Sequence, residues 1–114
     1  MRGDRLRLLD ALEQADLALE FAKAGQEAFL KDLQLQSAIL HRLVLLGECC
    51  RALSLDLTNA RPDVPWRQLV AFRNVLVHQY FGLDLDLVWT VVSRDLEPVR
   101  ASLREIVNDQ DGPT

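Results

Sequence analysis

The chain has 114 residues, 49% of them hydrophobic and 26% charged, and 17 acidic against 13 basic side chains set a net charge of −4. This length holds one domain with a sizeable core and is too short for two. The composition excludes a disordered chain, and the acidic balance excludes a generic nucleic-acid or membrane surface.

No long uncharged apolar run occurs, and the opening "MRGDRLRLLDALEQADLALE" carries acids throughout its leucines. Neither a transmembrane span nor a signal peptide is expected, and the chain reads as a cytoplasmic protein. Cys49 and Cys50 are adjacent inside an apolar run. Vicinal disulfides are strained, so both are read as small buried hydrophobes in a reducing compartment.

Helical periodicity runs through almost the whole chain. Leu8, Leu12, Ala15, Leu19 and Ala22 are spaced 4, 3, 4 and 3, the seam of an amphipathic helix ending near Gly25. Asp32 is a candidate N-cap for a longer second helix with the stripe Leu35, Ile39, Leu43, Leu46, Cys50, Leu53 and Leu57. Leu40, Val44 and Gly47 widen that stripe, as expected of the central member of a bundle. "TNARPDVPW" is the one clear turn cluster, because Pro62 and Pro65 prevent helix continuation. Asp63 can cap, and Pro65 suits the first turn of a third helix that runs to about Tyr80 and is ended by Gly82.

A fourth helix starts at Asp84 or Asp86 with the stripe Val88, Val92, Leu96, Val99, Leu103 and Ile106. Pro98 lies inside it and should kink it or split it in two. No strand-like alternation and no internal repeat appears. The expected fold is all-α: an up-and-down bundle of four or five helices, one domain over residues 1–107 and a frayed tail over 108–114.

Chemistry concentrates in "FRNVLVHQYF", residues 72–81. At about 100° per residue, Leu69, Val70, Phe72, Leu76 and Val77 form an apolar arc. Arg73 and Tyr80 fall near its middle, with Asn74 and His78 together at its edge. A guanidinium is rarely buried without a partner. Glu48, which interrupts "LVLLGECC", offers one, and a Glu48–Arg73 ion pair would staple the second helix to the third. Tyr80 can equally be a helix-end tyrosine with its hydroxyl in water. His41, beside Arg42, reads as a half-exposed structural histidine. No metal site is expected from two histidines without Cys-x-x-Cys or helical His/carboxylate spacing. Five scattered glycines make no phosphate loop, so no cofactor is expected.

The run "RNVLVHQY" is R-x-x-x-x-H-x-Y with a polar Asn74 straight after the arginine. It resembles the signature of the HEPN superfamily, specifically the HepT-type toxins of prokaryotic toxin–antitoxin pairs. "DLQLQSAILHRLVLLGECCRAL" is similar to the family's second helix with its Gly-Glu centre, here Gly47-Glu48. "PDVPWRQLVAFRNVLVHQYFGLDLDLVW" is similar to the block that follows, where a Pro-Trp pair opens the motif helix. The resemblance spans about Asp4 to Leu103. Cysteines stand where small residues usually follow the glutamate, a packing change.

The resemblance implies a metal-independent endoribonuclease working as a homodimer whose motifs face each other across a cleft. It assigns Arg73 to the RNA phosphate and His78 to proton transfer, with Asn74 orienting His78 one turn away. One chain supplies one motif histidine, and a dimer supplies two. The family's partner antitoxin is a minimal nucleotidyltransferase that transfers AMP to the motif tyrosine, here Tyr80. A tyrosyl adenylate would block RNA by bulk and by like charge. Residues 51–80 hold four arginines (Arg51, Arg61, Arg67, Arg73) against Asp56 and Asp63. That local excess suits a small structured RNA such as tRNA better than long strands. Two alternatives stay open: a non-catalytic helical partner subunit of a nucleotidyltransferase, and a dimerisation bundle held by a buried Arg73–Glu48 staple.

Overall fold

The computed structural model describes residues 2–111. In chain order these form α1 (Arg2–Ala22), α2 (Gln26–Lys31), α3 (Leu33–Arg51), α4 (Leu55–Ala60), α5 (Trp66–His78), a 3₁₀ turn (Tyr80–Gly82), α6 (Leu85–Thr90), a π-helical turn (Val91–Asp95) and α7 (Leu96–Asp111). No strand occurs among the described residues, and the all-α bundle is as expected. Its long members are α1, α3, α5 and the composite rod α6–π–α7. Helix α1 packs on α3 and α7, while α5 packs chiefly on α3.

The buried face of α1 is Leu8, Ala11, Ala15 and Ala18, all fully buried. The expected seam is displaced by one position, with Leu12, Leu19 and Ala22 only partly buried at its flank. Three alanines at the closest approach let α3 and α7 lie near the α1 backbone, and leucines fill the grooves to either side. Gly25, at φ +96°, takes a backbone conformation that side chains resist and turns the chain into α2. Sequence periodicity does not reveal α2, whose Phe29 is fully buried and stacks obliquely on Trp89 at 5.5 Å.

Asp32 caps α3 as expected, its Oδ1 accepting from the N–H groups of Gln34 and Leu35. The α3 stripe is interrupted at Ala52–Ser54 instead of running to Leu57, and Thr58–Ala60 belong to α4 rather than to the turn. Ser54 starts α4 by accepting from the Leu57 N–H. Asp4 locks this corner to α1, its two oxygens accepting from the Ser54 N–H at 2.9 Å and the Ser54 hydroxyl at 2.6 Å. Those two bonds hold the Asp4 carboxyl below its ordinary pKa.

Asp84 caps α6 through the N–H groups of Asp86 and Leu87. Pro98 splits the fourth rod as expected, and the split takes the form of the π turn one turn upstream. Proline removes a donor and crowds the preceding turn. A π turn absorbs the resulting change in winding while Val88, Val92, Leu96, Val99, Leu103 and Ile106 all remain buried. Helix α7 continues to Asp111, four residues into the segment expected to be tail, and residues 112–114 lie outside the described ones. Cys49 and Cys50 carry free thiols. Burial pushes the Cys50 thiol up to about 12. Among the described residues, no helix is long and apolar enough to cross a membrane.

Candidate functional site

The start of α5 is pinned from outside the helix. Trp66 donates its indole N–H to the Arg61 carbonyl at 2.9 Å. Arg61 grips Asp63 through two hydrogen bonds and also reaches Glu105 on α7 at 3.0 Å. Asp63 therefore does not cap α5. Its carboxylate is committed to Arg61, which holds it below the ordinary pKa, and the cap position is Pro65.

Contact between α3 and α5 closes on Gly47. A Cβ there would stand 2.3 Å from the Cβ of Arg73, 2.9 Å from its Cγ and 3.1 Å from the Leu69 carbonyl oxygen. No residue but glycine lets the Arg73 stem lie flat on α3. From that seat the guanidinium meets two partners. Nη2 pairs with Glu48 Oε1, and Nη1 donates to Asn74 Oδ1 at 2.9 Å. Glu48 also takes Arg51, Nη2 to Oε2 at 3.2 Å, so one carboxylate lies between two guanidinium groups. The arginine on the greasiest face of α5 is thus answered by Glu48, the staple expected from the sequence. Arg73 Nε is buried and has no hydrogen-bond partner among the described residues.

Asn74 accepts from Arg73 and, among the described residues, makes no hydrogen bond to His78, the residue it was expected to orient. His78 ends α5 exposed, and no hydrogen bond or ion pair holds it among the described residues. Tyr80 does not share the helix face of Arg73. Helix α5 stops at His78, and Gln79 breaks the winding at φ −120° and ψ 28°. The 3₁₀ turn then carries Tyr80 out to 43% exposure and Phe81 to full exposure. His78, Tyr80 and Phe81 line one shallow depression at this end of α5. His41 is exposed on α3.

The structure therefore assembles two adjoining groups along α5: Arg73, Asn74, Glu48 and Arg51, and then His78 with Tyr80 and Phe81. Sequence reasoning counted Arg51 only in the local charge and missed its pairing with Glu48, whose signal was the i+3 spacing. It passed over Phe81, whose exposure follows from the early helix end. A separate apolar cleft of about 510 Å³ opens between α3, α5 and α7, lined by Leu43, Leu69, Phe72, Leu96 and Val99 among others. It contains none of the polar group. Among the described residues, no cluster of three or more His, Cys, Asp or Glu side chains is placed to hold a metal ion.

The family described as "Ribonuclease HepT-like" matches residues 11–106. The chain is 35% identical over 101 residues to "Putative RNase MJ1380" of Methanocaldococcus jannaschii, covering 88% of this chain and 92% of that protein. It is 30% identical over 106 residues to "Probable ribonuclease HepT" of Thermococcus cleftensis, covering 92% and 96%. No solved structure matches the chain. The matched segment contains both groups along α5 and the glycine that seats Arg73, and the chain belongs to the ribonuclease HepT-like family, a HEPN-type ribonuclease.

Proposed function

We propose that this chain is the toxin of a prokaryotic toxin–antitoxin pair and cleaves RNA at the Arg73/His78 site. RNA carries its own nucleophile, so the protein needs to move protons and bear charge. The 2′-oxygen attacks the adjacent phosphorus as its proton passes to a base. The P–O5′ bond breaks, and an acid protonates the leaving 5′-oxygen, giving a 2′,3′-cyclic phosphate and a 5′-hydroxyl. His78 is the group for proton transfer: it is exposed, and an imidazole can both give and take a proton. Arg73 carries the charge developing on the phosphate. Asn74 and Glu48 position it.

One observation carries this reading over a purely structural staple. Arg73 is held close on glycine, and its buried Nε donor has no hydrogen-bond partner among the described residues, a cost that a fully satisfied staple would avoid. Acid and base must both be present, and a homodimer would bring a second His78 to the cleft. Tyr80, solvent-facing and in the same depression as His78, is open to AMP transfer by a nucleotidyltransferase antitoxin. The added phosphate would repel the RNA phosphate. A cytoplasmic, small structured RNA such as tRNA fits the local arginine excess.

The test uses purified protein and total tRNA in EDTA, with the parent beside His78→Ala and a sample adenylylated on Tyr80. Cleavage by the parent alone supports the proposal. Parental cleavage by His78→Ala overturns the assignment of His78. A folded, unmodified parent that leaves RNA intact would favour the non-catalytic partner of a nucleotidyltransferase.

A further inference from the structure

Phe81 is the outlier of the surface. It is fully exposed, whereas Phe29 is buried, Phe72 is partly buried and Phe21 is 37% exposed. Among the described residues its ring contact is with Tyr80, edge to face at 82° with centroids 5.7 Å apart. This arrangement leaves the Phe81 ring open to solvent. The 3₁₀ turn that sets it there begins two residues after His78, and both side chains line the same depression.

The run of sequence that leads into this turn is unusual for this protein, and Asp84 and Asp86 follow it. From Val64 to Leu83 the sequence has no Asp or Glu, and it carries Arg67, Arg73 and His78. No longer stretch without an acid occurs in a chain of net charge −4. An open aromatic face beside an acid-free, arginine-bearing helix is the pairing used to hold single-stranded nucleic acid: the bases stack and the backbone follows the positive charge.

We propose that Phe81, beside Tyr80, is the stacking platform for an unpaired nucleobase next to the scissile phosphate. It would make the enzyme select RNA in which that base is free of a helix, as in a loop. This rests on the ribonuclease reading above, and it assigns Phe81 to substrate binding. Val75, Val77 and Tyr80 are also exposed along this end of α5, and what assigns the ring to a base is that it lines one depression with His78.

The test separates binding from cleavage. Affinity is measured by fluorescence anisotropy on an uncleavable 2′-O-methyl oligonucleotide, unpaired or locked in duplex, for the parent, Phe81→Ala and Phe81→Trp. Steady-state cleavage of the matching RNA and the sedimentation coefficient of each variant complete the set. Phe81→Ala should weaken binding of the unpaired strand roughly tenfold or more and raise KM with little change in kcat. Phe81→Trp should restore both, and the duplex should respond to neither. Unchanged affinity in Phe81→Ala overturns the proposal, as does a loss of affinity that accompanies a change of oligomeric state, which would make Phe81 a contact between copies. A parent that binds in a Phe81-dependent way yet does not cut would uphold the platform and sink the ribonuclease reading.

Discussion

Replacing Gly47 by alanine should separate stability from activity. The added methyl carbon falls 2.3 Å from Arg73 Cβ, about 1.1 Å inside the 3.4 Å at which ordinary contact begins. Cβ moves with the backbone, so no rotamer of Arg73 relieves the clash, and α5 must shift away from α3 by the order of an ångström. Overpacking of this kind costs about 1–3 kcal/mol. Alanine returns about 1 kcal/mol through helix propensity, so the net loss should be about 0–2 kcal/mol and the fold should survive. The guanidinium moves with the helix, and a misplacement of about 1 Å at a catalytic group can cost about 100-fold in rate. The assay pairs urea unfolding with RNA cleavage. Gly3→Ala serves as control, since a Cβ at Gly3 meets nothing within 4 Å. If Gly47→Ala cleaves RNA at the parental rate, close seating of Arg73 on α3 is irrelevant to catalysis and the positioning role of Gly47 is wrong.

Glu48→Gln keeps the shape of the Arg73 partner and removes its charge. We expect kcat to fall about tenfold without a rise in KM, because the guanidinium loses its orientation and not its attraction for phosphate. The pair is only 22% and 33% exposed, so losing its charge should also cost about 1–3 kcal/mol of stability, and a folded Glu48→Gln protein with parental kcat would contradict the positioning role. Asp4 governs acid stability. Its folded pKa is lowered by Ser54, so its contribution is complete above the unfolded value and is lost as pH falls through the folded one. Asp4→Ala should cost about 1–3 kcal/mol at neutral pH and flatten the acid limb of a stability-against-pH curve below about pH 4. A parallel displacement of the two curves would show that the carboxylate does not titrate with folding.

The bundle was legible because its signals are local. Asp32 and Asp84 announce their helices by capping, and the α3 stripe from Ile39 to Cys50 and the stripe of the fourth rod survive as buried faces. Arg73 was legible through a conflict: a charge on an apolar arc demands a partner, and Glu48 was the acid on the facing helix. What stayed hidden depends on competition between neighbours. Asp63 could cap α5 or bind Arg61, and a bidentate pair prevailed. Asn74 could turn to His78 or to Arg73, and the guanidinium prevailed. Tyr80 left the arc because α5 ends two residues early, a boundary that periodicity alone does not place to better than a turn.

The direct measurement of the central claim is the initial rate of tRNA cleavage in EDTA by the parent and by His78→Ala, each shown by mass to be unmodified and by circular dichroism to be folded. A ribonuclease working through His78 predicts that the parent cuts to a 2′,3′-cyclic phosphate end and that the variant loses at least about 100-fold in rate. A His78→Ala protein that cuts at the parental rate would contradict it.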